Sequence, residues 1–159
     1  MADLRGRVID PAMPLTVVVV DDDLDYRHIV RYLLASVSDT MVIVGEAADG
    51  EEALAVALRE RPDVVITDLV MPRLNGIELT RRLRQELPLT KVILMSSYTE
   101  DAYRLMASDS GADAFVSKQV INSSLLPAIR DAVRRRFSGG SGPLPPSAGT
   151  SPASAAAPK

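Results

Sequence analysis

The sequence contains no cysteine, and its single histidine is His28. The absence of cysteine excludes disulfides, thiol catalysis and zinc sites built on cysteine. No apolar run approaches the roughly 20 residues that a membrane-spanning helix needs, and residues 1–14 have no apolar stretch after their charges that could form a secretory signal. We therefore expect a cytoplasmic protein that does not bind membranes.

A strong excess of one charge is also missing. The 159 residues carry a formal net charge of −3 at pH 7, which gives no global attraction for nucleic acid. Basic residues cluster at 81–84 and 134–136, but both clusters fall late in predicted helices, where they complement the helix dipole. We therefore expect no direct binding of nucleic acid by this chain.

Composition divides the chain into three parts. Residues 1–14 form a short N-terminal leader, and residues 15–137 carry regular hydrophobic patterns. Residues 138–159 consist almost entirely of Ser, Gly, Pro, Ala and Thr, and such a segment buries too little apolar surface to offset its ordering entropy, so we predict a disordered tail. The middle part is long enough for one globular domain with a hydrophobic core.

Strand and helix patterns alternate within the middle part. Strands are predicted at 16–21, 41–47, 64–68, 91–96 and 113–117. The first predicted helix is an apolar stripe from Tyr26 to Val37, and the second covers 51–60 with Asp49 as its cap. Asn75 caps the third, which stops at Pro88, and Thr99 caps the fourth, which runs to Gly111. The last helix starts near Ser123 or Ser124, with Pro127 in its first turn. Five such units predict an α/β fold, a five-stranded parallel sheet with helices on both faces.

Acidic residues follow two of the predicted strands directly. Four valines, 17–20, run into Asp21, Asp22 and Asp23, and the strand over 64–68 ends in Asp68. Crowded carboxylates repel by about 4 kcal/mol at about 4 Å and an effective dielectric of about 20, so a cation that neutralises them would account for the arrangement. With the strand order 2-1-3-4-5, known from other sheets of this size, these acids lie where strand order reverses, which is where such sheets bind ligands.

Other acidic motifs fail on spacing. An EF-hand loop that began at Asp21 would need Gly at position 26 and Glu at position 32, where the chain has Tyr26 and Tyr32. A phosphatase of the haloacid dehalogenase type needs Thr or Val where Asp25 stands. A flavin-phosphate loop would be rich in Ser, Thr and Gly, whereas three acids would repel the phosphate.

The chain resembles the receiver domain of two-component response regulators, a flavodoxin-like (βα)5 fold. The matching residues are Asp21 and Asp22 after strand 1, Asp68 after strand 3, Met71, Pro72 and Gly76 behind it, Ser96 at the end of strand 4, and the run 111–118 over strand 5. The resemblance covers residues 15–137, with these positions in the order and spacing of the family.

The resemblance implies a role for each site residue. Asp68 would be the phosphoacceptor, Asp22 and Asp68 would bind Mg²⁺ directly, and Asp21 would act through a metal-bound water. The backbone carbonyl of Val70 would supply another ligand. Ser96 and Lys118 would bind the phosphoryl group, and Ser96 with Phe115 would form the switch.

The resemblance also implies partners. The phosphoryl group would come from a sensor histidine kinase or a phosphotransfer protein. An output partner would bind the face of helix 4, strand 5 and helix 5, where a phosphorylation-dependent homodimer could also form. The chain would then be a signalling domain that catalyses its own phosphorylation and dephosphorylation, not an enzyme with a separate substrate.

One departure from the family leaves two functional readings open. Most receivers have Pro after the strand 5 lysine, whereas this chain has Gln119, which is similar to receivers joined to helix-turn-helix DNA-binding domains. Either the chain is a stand-alone phosphorylatable switch, or it is the regulatory fragment of a DNA-binding transcriptional regulator whose effector domain is missing.

Overall fold

A computed structural model describes residues 13–98 and 100–135. The strands are β1 Leu15–Val20, β2 Met41–Ala47, β3 Val64–Asp68, β4 Lys91–Ser96 and β5 Ala114–Ser117. The helices are α1 Leu24–Ala35, α2 Gly50–Glu60, α3 Gly76–Glu86, α4 Asp101–Ser110 and α5 Ile121–Arg135, with a 3-10 turn at Lys118–Val120. All neighbouring strands are parallel, in the order β2-β1-β3-β4-β5. The predicted fold class and strand order are confirmed.

The four valines of β1 are buried on both faces of the sheet. Val17 and Val19 belong to the core cluster that includes residues of α1 and α5, whereas Val18 and Val20 belong to the cluster that includes residues of α2 and α3. Successive side chains of a strand point to opposite faces, so an unbroken β-branched run fits a strand that is covered on both sides.

Two of the predicted helix caps are present. The Asp49 side chain accepts a hydrogen bond from the Glu52 amide at 2.8 Å, and the Asn75 side chain accepts one from the Glu78 amide at 2.9 Å. These contacts satisfy amides that have no partner within a first helical turn. Thr99, the predicted cap of the fourth helix, lies outside the described residues, and Glu100 precedes α4.

The predicted start of the last helix is wrong. The chain leaves β5 through the 3-10 turn, in which the Ser117 hydroxyl accepts from the Gln119 amide at 3.2 Å, and α5 begins at Ile121. Pro127 therefore lies inside α5 and not in its first turn, where it removes one internal hydrogen bond. The early start has a physical reason, since the 3-10 turn continues into the helix without a loop.

The leader and tail predictions mostly fall outside the described residues, because positions 1–12 and 136–159 are not described. Within the described ranges, no helix has the length and apolar character needed to cross a membrane.

Candidate functional site

The carboxyl edge of the sheet brings the predicted site residues together. Asp21 follows β1, Asp68 is the last residue of β3, Ser96 is the last residue of β4, and Lys118 follows β5. Because all strands run parallel, their carboxyl ends share one edge, and the order of strands reverses between β1 and β3. The residues that the sequence analysis singled out therefore meet at this edge of the sheet.

Three carboxylates form a cluster at this edge. Asp21, Asp22 and Asp68 each offer an oxygen atom, and these atoms lie within 4.8 Å of one another. Asp21 and Asp68 are buried, whereas Asp22 is exposed. Three oxygen donors that are open to solvent on one side suit a hard divalent cation, which prefers oxygen ligands and keeps several waters.

The loop after β1 is held by Asp21 itself. Its Oδ1 atom accepts from the Asp23 amide at 2.9 Å, and its backbone carbonyl accepts from Arg27 Nη1 at 2.6 Å. The third acid of the run has a different role, because the Asp23 side chain caps α1 by accepting from the Asp25 amide at 2.9 Å. The run thus combines two candidate metal ligands with one helix cap.

Lys118 joins the two buried carboxylates. Its Nζ atom lies 2.6 Å from Asp21 Oδ2 and 3.3 Å from Asp68 Oδ2, and its side chain is only 5% exposed. The ring centroid of Tyr26 lies 3.9 Å from the same nitrogen. The ammonium is thus surrounded by protein groups and not by water.

Burial changes the acidity of the site. The pKa of Asp68 is raised to about 6, mainly by burial and also by the negative charge of Asp21, while Lys118 and a hydrogen bond from the Val70 backbone oppose the rise. Burial also raises the pKa of Asp21, despite its hydrogen bond from Lys118. Burial alone would lower the pKa of Lys118, but its hydrogen bond to Asp21 and the charges of both carboxylates raise it. Burial is thus the main reason that the pKa values of both carboxyls are raised.

The loop between β3 and α3 packs closely against Asp68. The Gly76 amide donates to the Leu69 carbonyl at 2.8 Å, and a Cβ atom at Gly76 would lie 2.2 Å from the Asp68 carbonyl oxygen. Only glycine fits this approach. In the same loop Met71 is buried, whereas the Val70 side chain is exposed at the rim of the site.

Ser96 and Phe115 lie in adjacent strands. The buried Ser96 oxygen accepts from the Tyr98 amide at 2.9 Å. Phe115 pairs with Leu94 across the sheet and is buried, with the guanidinium carbon of Arg104 5.1 Å from its ring centroid.

Sequence reasoning did not identify Tyr26 and Arg27 as site residues. Tyr26 was assigned only to the apolar stripe of the first helix. Its place in the first turn after the acidic run was a signal that it lies near the site, but its contact with Lys118 joins residues that are far apart in the chain.

The chain is similar to known proteins over this whole region. Residues 17–130 match the family described as response regulator receiver domain. The response regulator protein VraR of Staphylococcus saprophyticus is 36% identical over 118 residues, which are 74% of this chain and 56% of that protein. The chain thus spans little more than half the length of this relative.

Solved structures agree with the fold. A two-component response regulator of the LuxR family from Aurantimonas sp. has a TM-score of 0.73 at 30% identity, covering 78% of this chain and 88% of that one. The response regulator domain of Thermotoga maritima CheB has a TM-score of 0.69 at 32% identity, covering 81% of this chain and all (100%) of that one.

Proposed function

We propose, because this chain belongs to the response regulator receiver family, that it accepts a phosphoryl group on Asp68 and thereby switches the binding of a partner protein. The observation that carries the proposal is the contact of one buried lysine with two buried carboxylates, 2.6 Å from Asp21 and 3.3 Å from Asp68, beside the exposed Asp22. This arrangement offers a nucleophile, a cation and oxygen ligands within one pocket.

Asp68 is the nucleophile in this proposal. One carboxylate oxygen attacks the phosphorus of a phosphohistidine on a histidine kinase or a phosphotransfer protein, so that a P–O bond forms as the P–N bond breaks. The electron pair of the broken bond stays on the imidazole nitrogen, which takes a proton from solvent. The product is an acyl phosphate, a type of intermediate that carboxylate nucleophiles are known to form.

Lys118 and Ser96 bind the transferred group. The Lys118 ammonium already contacts Asp68, so its charge lies where the phosphoryl oxygens arrive. A lysine suits this role because it is a flexible point charge with several donors. The Ser96 oxygen accepts from the Tyr98 amide, and its own hydroxyl proton remains available for a phosphoryl oxygen.

Four groups would hold Mg²⁺, namely Asp21, Asp22, Asp68 and the Val70 carbonyl. The ion would neutralise phosphoryl charge when it is bound. The three carboxylates fit such an ion, since their oxygen atoms lie within 4.8 Å of one another and their mutual repulsion falls when a cation binds.

Phosphorylation changes the surface that the domain presents to its partners. Ser96 moves towards the phosphoryl group, Phe115 follows into the space that it leaves, and α4, β5 and α5 present an altered face to an output partner or a second copy. Such a switch is a two-state population shift that a new charge biases. The domain catalyses its own phosphorylation and dephosphorylation in this scheme.

A second candidate function is the regulatory part of a DNA-binding transcriptional regulator. Two observations favour it, namely that the chain covers only 56% of the VraR relative and that a LuxR-family regulator is among its structural relatives. Sequencing the reading frame beyond Lys159 tests this candidate, because an encoded helix-turn-helix domain supports it and a stop codon contradicts it.

Phosphorylation with a small donor tests the main proposal. Incubation with Mg²⁺ and acetyl phosphate should add one phosphoryl group that hydroxylamine removes, as followed by mass spectrometry. Asp68→Asn should not be labelled, whereas Asp39→Asn, which changes an exposed acid, should be labelled like the wild type. Labelling of Asp68→Asn to the wild-type extent would contradict the proposal.

A further inference from the structure

The Tyr26 ring forms one wall of the lysine pocket. Lys118 Nζ lies 3.9 Å from the ring centroid, within the range of a cation–π contact. Asp21 and Asp68 are the other partners of this nitrogen, at 2.6 Å and 3.3 Å. With its side chain 5% exposed, the ammonium has exchanged most of its water for two carboxylates and one aromatic face.

The ring is held in place by the same loop that carries Asp21. Tyr26 lies in the first turn of α1, which Asp23 caps through the Asp25 amide at 2.9 Å. Arg27, the next residue, donates to the Asp21 carbonyl at 2.6 Å and pairs with Glu46 at 3.3 Å. The position of the ring is therefore coupled to the position of the acidic loop.

An aromatic face stabilises a cation without carrying a negative charge. A third carboxylate at this position would compete with an incoming phosphoryl group for the ammonium. An aliphatic side chain would leave the ammonium with less compensation for the loss of water. The ring can hold the lysine in the pocket while the lysine exchanges a carboxylate partner for a phosphoryl oxygen.

We infer that Tyr26 is a positioning residue for Lys118, whose ammonium it holds at the phosphorylation site through the face of its ring. The inference rests on the role proposed above for Lys118. It adds a residue of α1 that would act on the phosphoryl group only through Lys118.

Two substitutions of Tyr26 by standard amino acids, made in the full chain, test the inference. Tyr26→Phe keeps the ring, and it should phosphorylate with acetyl phosphate and bind beryllofluoride like the wild type. Tyr26→Leu removes the ring, and it should lower both the phosphorylation rate and the beryllofluoride affinity by about three- to tenfold. Equal behaviour of the Phe and Leu variants would overturn the inference.

A fluorinated series separates the electronic effect from packing. Phenylalanine with an increasing number of fluorine atoms at position 26 keeps the shape of the ring while it weakens the negative charge of the ring face. The beryllofluoride affinity should fall stepwise with each fluorine. A flat series would overturn the inference even if Tyr26→Leu were destabilised, because a merely structural ring would not respond to its charge distribution.

The Lys118→Ala variant separates the inference about Tyr26 from the function proposed for the site. In the Lys118→Ala background, Tyr26→Leu should cause no further loss of beryllofluoride affinity, since the two residues act as a unit. If the wild type is phosphorylated and Lys118→Ala impairs it, but Tyr26→Leu lowers the affinity equally in both backgrounds, only the inference about Tyr26 fails. If the wild type is not phosphorylated, the proposed function of the site fails. If Lys118→Ala matches a phosphorylated wild type, the role proposed for Lys118 fails, and the inference about Tyr26 fails with it.

Discussion

At the scale of single residues, Asp68 has an unusual protonation equilibrium. The pKa of this carboxyl is raised from 3.8 to about 6, mainly by burial. The folded protein therefore binds the Asp68 proton more tightly than the unfolded chain does. The cost of the ionised carboxylate is fully present above about pH 6 and falls as the pH decreases, and it disappears only below 3.8, where both states are protonated.

Asp68→Asn should therefore stabilise the metal-free protein at neutral and higher pH. We expect a gain of about 1–3 kcal/mol in the free energy of unfolding at about pH 8 with a chelator present, falling towards zero at about pH 4. Urea titrations at a series of pH values measure it. Asp39→Asn alters an exposed acid, and its free energy of unfolding should stay close to that of the wild type at every pH. A gain that is independent of pH would show that the burial of an ionised Asp68 is not its cause.

Two exposed side chains, Val70 and Tyr98, lie two residues after Asp68 and Ser96, at the rim of the site. The side chains of Val70 and Tyr98 are 50% and 49% exposed, and Tyr98 stacks on Tyr103 with ring centroids 5.3 Å apart. Neither the Val70 side chain nor the face of the Tyr98 ring can orient a water for attack on an acyl phosphate. Polar side chains at these positions could do so.

Val70→Asn/Tyr98→Glu should therefore lose its phosphoryl group faster than the wild type. Orientation of one water should raise the rate about tenfold, or about 1.4 kcal/mol. Dephosphorylation in excess Mg²⁺ measures the effect. Val42→Asn is a suitable control because it changes an exposed apolar residue of β2. If the double variant keeps its phosphate as long as this control, water access at the rim does not set the lifetime.

At the scale of elements, the junction of β3 and α3 places Asp68. Gly76 begins α3 directly beside the Asp68 carbonyl, where a Cβ atom would lie 2.2 Å from a backbone oxygen. A backbone atom moves less easily than the end of a side chain. The first turn of the helix and Asp68 therefore cannot be moved independently.

Gly76→Ala should destabilise the fold by about 2–4 kcal/mol and displace Asp68. We expect weaker Mg²⁺ binding by the folded fraction, measured by calorimetry beside a urea titration. Gly45→Ala is the matched control, since its Cβ atom would meet the Val56 side chain at 2.6 Å, away from the site. That variant should lose stability but keep its Mg²⁺ affinity. Equal affinities of both variants would show that Gly76 does not position the ligands.

At the scale of the whole molecule, one apolar cluster connects the site with α4. Its members include Leu69, which follows Asp68, together with Phe115 of β5 and Ala107 of α4. A packed cluster transmits small displacements because interiors are close-packed. A change at Asp68 can thus reach α4 and β5 through continuous side-chain contact.

Binding of beryllofluoride should therefore change amide exchange most over residues 96–118. The physical reason is that movement of Ser96 and Phe115 alters packing under α4. Hydrogen exchange followed by mass spectrometry, with and without the mimic, measures it. Residues 51–60 of α2 serve as the internal control and should change little. If the changes were confined to 21–23 and 68–72, the site would not be coupled to this face.

Much of this architecture was predictable because its signals are local. The β-branched run 17–20, the side-chain caps at Asp49 and Asn75, and the acids that directly follow two strands each depend on neighbours in the chain. The start of α5 was mispredicted because Ser123 and Ser124 resemble caps, whereas the 3-10 turn after Lys118 carries the chain into the helix at Ile121.

The sequence by itself determined the five strand–helix units, the residue types of the site and the strand ends to which they belong. These follow from side-chain shape, charge and spacing along the chain. Only the tertiary structure decided that Lys118 contacts both Asp21 and Asp68, that Asp22 is the exposed member of the acidic cluster, and that Tyr26 covers the lysine. Such contacts depend on how α1 packs against the sheet and on where β5 ends within it. They join residues that are far apart in the chain, so no local sequence pattern predicts their distances.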